Sequence, residues 1–342
     1  MERITIIGVG PIGASIGRGL MARGLRETEV VISSRNRRVL KDVAKIGAAD
    51  KTIANLRSAV SGARLVILDV SIAEMRELLE GIAPILEDGA VVTDTSVSKI
   101  PVLRWADQYI TNGASFVGGH PLPRRVPDTL EGADHTIFDG ANYTVTPSKS
   151  ADEAAIRTVV GLVESLGARP LFLDANEHDS YAAAMHYLPV VMSSAFVSAT
   201  AGSDGWRDMH KLAEAGFGDY SQLAANDPME NEAVCLANPD SLVHWVDQLI
   251  IELYAYRNQI KEAGEEPGEG LLGRFVEAWE LRARWEAGAV ERDDNAVPLP
   301  TASESMATAF FGSRLSSRFL KSKTEDPMDE KLKYRRRNRP LA

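Results

Sequence analysis

The sequence predicts an α/β fold, a doubly wound parallel sheet domain followed by an all-helical dimerisation domain. Over the first half of the chain, short apolar runs alternate with segments of helical period, which calls for right-handed crossovers and parallel pairing. The glycine run Gly8-Val9-Gly10-Pro11-Ile12-Gly13 falls between the first such strand and the first helix. Strand signals end near Asp174, and from Glu177 to Ala263 the pattern is helical.

Ile4-Thr5-Ile6-Ile7 is too short for a helix and runs straight into glycine, so it reads as a buried parallel strand. Pro11 to Arg23 is the first helix, Val30 to Ile32 the second strand and Arg38 to Ile46 the second helix. Leu65 to Leu68 and Val91 to Thr93 are further strands, with a helix over Ile72 to Leu86 between them. Ser115 to Val117, Tyr143 to Thr146 and Pro170 to Leu173 complete the sheet, giving a first domain over residues 1–173. The helical domain is expected over 174–290. Segments such as Ala182 to Ala199 and Leu242 to Tyr256 carry more apolar surface than one layer of helices can bury, which predicts a homodimer. Residues 291–342 read as a polar, poorly ordered tail with one possible helix over 303–319.

Composition narrows the function. The 342 residues carry a formal charge of -10, with 44% apolar and 25% charged side chains, which suits a globular protein and not a nucleic-acid binder. Lys331 to Arg339 is a basic exception, read as a solvated tail. The single cysteine, Cys235, rules out an internal disulfide and a thiolate metal cluster and suits the cytoplasm. No targeting segment and no apolar run of about 18 residues is evident, so no membrane partner is expected. No HExxH pattern or carboxylate triplet suggests a metal.

The glycine run carries the first chemistry, that of a Rossmann-like domain. Gly8 permits the tight turn, Gly10 lets a pyrophosphate approach the backbone, and Gly13 lets helix and strand pack closely. Pro11 and Ile12 open a helix whose N-terminus favours anions. The end of the second strand selects the cofactor. NAD-binding folds place an acid there, whereas this chain reads Ser33-Ser34-Arg35-Asn36-Arg37-Arg38. Ser34 can donate to a 2′-phosphate and Arg35 can pair with it bidentately, with Arg38 close by, so NADP is favoured over NAD. The alternative is an exposed basic helix start.

Three more segments accompany the glycine turn: Thr93-Asp94-Thr95-Ser96-Val97-Ser98-Lys99, Phe116-Val117-Gly118-Gly119-His120-Pro121 and Glu131-Gly132-Ala133-Asp134. With Glu177-His178-Asp179, Leu188-Pro189, Gly216-Phe217 and Asn226-Asp227-Pro228, the chain resembles the prephenate/arogenate dehydrogenase family over roughly residues 3 to 260. The resemblance implies oxidative decarboxylation of a cyclohexadienyl acid on the route to tyrosine. It also implies that His120 accepts the hydroxyl proton while hydride moves, which suits a side chain titrating near neutral pH. By the same resemblance Ser98 is a second catalytic candidate, Val70 and Ser71 join the cofactor site, and Ser96 and Lys99 join the substrate site.

The departures from the family pattern gather around the substrate. The family's Asp-x-x-Ser-x-Lys has Val97 at its serine position, flanked by Ser96 and Ser98. Its Ser-His-Leu-Pro becomes His186-Tyr187-Leu188-Pro189, and a one-residue move turns a side chain by about 100° on an α-helix. The substrate arginine is replaced by Gln222, and the usual Ala-x-Pro after the third strand is Asp69-Val70-Ser71, an acid near the cofactor crevice. Arg124 and Arg125, just past His120, are candidates to bind the substrate carboxylate instead, with His186 and Gln222 as further lining. Their alternative is a pair of surface arginines. Asp179 reads as a first-turn acid favouring its own helix dipole, and His135, His210 and His244 as surface or packing residues. Trp206, Trp245, Trp279 and Trp285 read as core or interface. Two alternatives to the family reaction remain open, a dehydrogenase or reductase acting on another hydroxy or oxo acid and a non-catalytic dinucleotide-binding relative.

Overall fold

A computed structural model describes residues 2–24, 27–262 and 269–288. The tail from 291, its possible helix over 303–319 and the basic run Lys331 to Arg339 lie outside the described residues.

Eight strands form one sheet in the order β3-β2-β1-β4-β5-β6-β7-β8. They are β1 (Glu2–Ile7), β2 (Thr28–Ser33), β3 (Lys51–Ile53), β4 (Ala63–Leu68), β5 (Val91–Asp94), β6 (Ser115–Leu122), β7 (Asn142–Pro147) and β8 (Arg169–Phe172). Helices α1 (Pro11–Arg23), α2 (Arg37–Lys45), α3 (Leu56–Val60), α4 (Ile72–Ile82), α5 (Ile100–Tyr109) and α6 (Glu153–Ser165) cross between them. Two apolar clusters, one on each face of the sheet, make up the core. One is built on Val66, Leu68, Met75 and Phe116, the other on Ile6, Ile16, Ile67 and Val145. The strand order reverses between the parallel neighbours β1 and β4, which opens a crevice at the carboxyl ends of these strands, where open α/β sheets take their ligands.

Three differences from the sequence reading have local causes. The sheet is not wholly parallel, because β6 pairs antiparallel with β7. The segment between them holds only a 3₁₀ turn, His135–Phe138, and lacks the helix that a parallel crossover needs. The antiparallel ladder also extends β6 beyond Val117, so His120 lies inside the strand, opposite Thr144, and not past its end. The helix expected over Ile72 to Leu86 stops at Ile82, because Pro84 lacks an N–H and the chain continues as a 3₁₀ turn. The edge strand β3 has three residues and no alternating pattern, which hid it.

The remaining helices are α7 (Ala175–Ala182), α8 (Leu188–Ala201), α9 (Trp206–Met209), α10 (Ala215–Ser221), α11 (Pro228–Ala237), α12 (Pro239–Glu262) and α13 (Glu269–Glu286). Asp174 caps α7 by accepting from the Asn176 and Glu177 N–H groups. A π-turn, Ala183–Tyr187, joins α7 to α8 without a break. The resulting run Ala175–Ala201 is, by length and composition alone, long and apolar enough to cross a membrane, contrary to expectation. Its first turns, however, bury His178 and Asp179. By packing, one compact unit extends to Gln248 and a second begins at Leu249. The second unit exposes Ile251, Leu253, Tyr254, Phe275, Trp279 and Trp285.

The two glycines before His120 answer to packing rather than to backbone angle, Gly119 strictly and Gly118 less so. A Cβ on Gly119 would lie 2.7 Å from the Asp94 carbonyl oxygen and 2.9 Å from Tyr143 Cε1. One on Gly118 would lie 3.1 Å from Lys99 Cδ and from the Thr146 carbonyl oxygen. Gly119→Ala should therefore destabilise the chain by about 1–3 kcal/mol. Thermal unfolding followed by circular dichroism checks this, and an unchanged midpoint would contradict the packing described.

Candidate active site

The glycine turn stands at the carboxyl end of β1. Gly8 has φ +75°, and a Cβ there would lie 2.4 Å from the Asp69 carbonyl oxygen, so only glycine fits. At Gly10 such an atom would, among the described residues outside its own turn, come within 4 Å of Asp69 Oδ2 alone, at 3.5 Å, so the backbone is open to a ligand. Gly10, Pro11, Ile12 and Gly13 form the cap and first turn of α1. Gly8, Gly10, Ser34, Arg35, Val70 and Ser71 all line one cleft, with Leu56 and Leu78 as its apolar wall. Such a cleft fits a dinucleotide, with the pyrophosphate at the helix N-terminus and the adenosine towards β2.

Two carboxylates change this picture, Asp69, which the sequence placed near the crevice without a role, and one that it did not place. Asp69 Oδ2 accepts from the Gly10 N–H at 2.8 Å and the Gly13 N–H at 2.9 Å, while Thr95 Oγ1 donates to Oδ1 at 2.7 Å. The acid thus satisfies from outside two orphan donors of α1, and the Ile12 N–H is left for a phosphate. Burial holds the Asp69 carboxyl above its ordinary range, against the pull of Thr95 and the two amides. The second is Glu77 on α4, which pairs with Arg35 at 3.0 Å, both side chains being largely exposed. An acid absent from the end of β2 therefore reaches the same region from another element. Ser34 Oγ accepts from the Asn36 N–H, Ser71 caps α4, and Arg38 sits exposed in the first turn of α2.

Around His120 the chain builds a buried polar cluster. Asp94 Oδ1 accepts from the Gly119 N–H at 3.0 Å, and its Oδ2 takes the Lys99 ammonium and the Ser96 hydroxyl. Lys99 also donates to the Gly119 carbonyl at 2.7 Å. Its side chain is 0% exposed, so it is a structural ion holding β6 and presents no free charge to a substrate. Burial lowers the Lys99 pKa in spite of Asp94 and Asp179 nearby. Ser96 is likewise spent within this cluster.

Asp179 closes the other side. Its Oδ1 accepts from the Lys99 N–H at 2.7 Å and lies 2.7 Å from His178 Nδ1. Its Oδ2 accepts from the Ile100 N–H at 2.9 Å and the Ser98 hydroxyl at 3.0 Å. Asp179 therefore serves the N-terminus of α5, not that of its own helix as expected. Ser98 reaches His120 only through Asp179 and His178. His178, which sequence reasoning left without a role, sets Nε2 3.0 Å from His120 Nδ1. His120 is 5% exposed, and its pKa is pushed well below 6.5 by burial first, then by His186, His178 and Lys99.

His186 does reach the site. Its ring centroid lies 5.2 Å from that of His120. The cause is the π-turn, which takes an extra residue and so offsets the one-residue shift seen in the sequence. Tyr187, at the family's histidine position, is buried and donates to the Val97 carbonyl at 2.7 Å. Arg124 and Arg125 occupy an exposed loop after β6, and Gln222 lies exposed on a 3₁₀ turn. Among the described residues no metal-binding group of side chains occurs.

Comparison with known proteins identifies the architecture. The model of the prephenate dehydrogenase nucleotide-binding domain matches residues 16–171, and that of the prephenate dehydrogenase dimerization domain matches 174–276. The chain belongs to the prephenate dehydrogenase family. A prephenate dehydrogenase of Bacillus subtilis is 25% identical over 299 residues, covering 87% of this chain and 78% of the relative. One of Lactococcus lactis is 30% identical over 247 residues, covering 70% and 66%. The crystal structure of prephenate dehydrogenase from A. aeolicus, in complex with hydroxyphenyl propionate and NAD+, superposes with a TM-score of 0.73. It has 21% sequence identity and covers 83% of this chain and 98% of that one. As a family member the chain is an NAD(P)-dependent dehydrogenase whose first domain binds a nicotinamide dinucleotide.

Asp69 gives this cofactor site a testable peculiarity. Asp69→Asn keeps an oxygen for the two glycine amides and an NH₂ for Thr95, and removes only the charge. Dinucleotide should then bind on the order of tenfold more tightly, a gain of ~1.4 kcal/mol from removing one like charge. Titration by quenching of intrinsic fluorescence measures it; weaker binding would show that the charge is not what the phosphate meets.

Proposed function

We propose that this chain oxidises a cyclohexadienyl acid, prephenate or arogenate, with decarboxylation to an aromatic product on the route to tyrosine. The reading rests on His120, a buried neutral imidazole at the carboxyl edge of the sheet and held by hydrogen bonds. The bound nicotinamide supplies the hydride acceptor. His120 takes the hydroxyl proton as hydride leaves the carbinol carbon, so the O–H bond breaks as an N–H bond forms. The bond to the ring carboxylate then breaks as carbon dioxide departs, and its electron pair completes the aromatic ring. Burial keeps His120 unprotonated and ready to accept.

NADP is the preferred cofactor in this reading. Ser34 and Arg35 offer a donor and a bidentate cation, and β2 ends without an acid. The Arg35–Glu77 pair is exposed on both sides and therefore weak, so a 2′-phosphate can take Arg35 from it. The exposed apolar residues of the second unit, within and beyond the segment matched by the dimerization model, support a homodimer. The lost substrate arginine and the sequestered Tyr187 support one other reading, a different hydroxy acid as substrate.

Following reduced-cofactor absorbance with prephenate and arogenate, each with NADP and NAD, tests the proposal. Turnover is expected with one ring acid, with the higher kcat/KM for NADP. His120→Gln should lower kcat by about 10²- to 10⁴-fold. Because the His120 pKa lies well below 6.5, kcat/KM should hold level from pH 8 down through 6.5, with the acid limb below that. No turnover with either acid would overturn the substrate reading.

Arg124 and Arg125 are the proposed holders of the substrate carboxylate in place of the missing arginine. Arg125→Ala should raise KM by about tenfold or more while leaving kcat within a few-fold, as expected when ground-state and transition-state binding are lost together. An unchanged KM would assign both arginines to the surface.

A further inference from the structure

The arrangement Asp179–His178–His120 determines which nitrogen of His120 is free. Asp179 faces four groups at hydrogen-bond distance: the Lys99 and Ile100 amides, the Ser98 hydroxyl and His178 Nδ1. The two amides are obligate donors, and a carboxylate has about four lone-pair positions. With the two amides and the Ser98 hydroxyl donating to it, Asp179 is best satisfied as a carboxylate, which places the hydrogen between the pair on His178 Nδ1. A neutral His178 then turns the lone pair of Nε2 to His120 Nδ1, 3.0 Å away. His120 Nδ1 in turn carries a hydrogen, and its Nε2 is left bare.

We propose that His178 and Asp179 form a proton relay behind His120, holding its Nε2 unprotonated at rest and taking up the charge during turnover. The relay rests on His120 being the base. When the substrate hydroxyl loses its proton, an N–H bond forms at His120 Nε2 and the His120 Nδ1 proton passes to His178 Nε2. The His120 Nδ1–H bond breaks as the His178 Nε2–H bond forms, and no other atom changes partner. The positive charge thus moves one ring away. At His120 it would stand between the Lys99 ammonium, the His186 ring and a dry interior. At His178 it stands 2.7 Å from an ionised carboxylate already solvated by three other donors. Attraction to Asp179 favours transfer. His178 and Asp179 are positioning residues here, since neither touches the reacting atoms.

Imidazole ¹⁵N spectra of the full chain, labelled at histidine and free of substrate, read the tautomer directly. The expected result is a protonated Nδ1 and a bare Nε2 on His120 in the wild type. His178→Phe should mix the His120 tautomers and lower kcat about 10²-fold with little change in KM. His178→Gln, whose amide oxygen can still accept from His120 Nδ1, should recover part of both effects and keeps the test available if the Phe variant does not fold. A hydrogen on His120 Nε2 in the wild type, or an unchanged tautomer in both variants, overturns the relay. Failure of the wild type to turn over either ring acid instead counts against the reaction. The spectra need no turnover, so the two failures are distinguishable.

Discussion

The buried Asp179 carboxylate is the constraint on which the site depends. A carboxylate in a dry interior is tolerated only when its oxygens are fully hydrogen-bonded, because an unpaired buried charge costs several kcal/mol. Asp179 meets that condition by drawing together groups distant in sequence: the first amides of α5, Ser98, and its own neighbour His178. The same requirement ties α7 to the sheet and sets the His178 ring edge-on to His120. Moving any one of these groups would leave the others poorly partnered.

A second carboxylate does comparable work from the sheet side. Asp94 bonds the Gly119 amide while pairing with Lys99, and Lys99 bonds the Gly119 carbonyl, so the peptide units on both sides of Gly119 are held. His120 is the next residue. The strand must pass close over Lys99 and Tyr143 for this to happen, which is why a side chain is excluded at Gly119 and would be tight at Gly118. The imidazole is therefore oriented from two directions, through its backbone by Asp94 and Lys99 and through its ring by Asp179 and His178. The Asp94–Lys99 ion pair need not add net stability for this purpose. Breaking it would leave a charge stranded beside the imidazole.

What the sequence revealed and what it hid divide along physical lines. The glycine turn was legible because a turn, a close approach and a helix start all fall within six consecutive residues, Gly8 to Gly13. The glycines before His120 and the break into helices after Asp174 were legible for the same local reason. The roles of Asp69, Asp94 and Asp179 were not, because each carboxylate acts on amides or side chains of another element. Asp69 showed in the sequence as an acid near the cofactor crevice, and the structure gives it the role of capping α1. Glu77 was hidden similarly, reaching Arg35 from α4. His186 was legible as a lining candidate but its route to the site was not, because an α-helical turn was assumed where the chain makes a π-turn, and nothing in Ala183-Ala184-Met185 announces one.

These placements bear on how the site can recognise an anion. Lys99 is the cation most intimately part of the cluster, and it is fully enclosed by Asp94 and the Gly119 carbonyl. The imidazole of His120 is kept neutral by burial, and the family's histidine position is occupied by a phenol bonded to the Val97 carbonyl. Gln222 brings no charge. Inside the cluster, then, a substrate carboxylate meets no available fixed positive charge, and desolvating it there would be costly. In the proposed reading, recognition comes from a charged group at the surface that pairs readily with a carboxylate. Exposed arginines meet that description, because a guanidinium is weakly hydrated, permanently charged and shaped for a carboxylate. Arg124 and Arg125 follow His120 by only four and five residues on the loop leaving β6. On the proposed reading, the chain keeps a rigid, buried proton acceptor and leaves charge recognition to its surface.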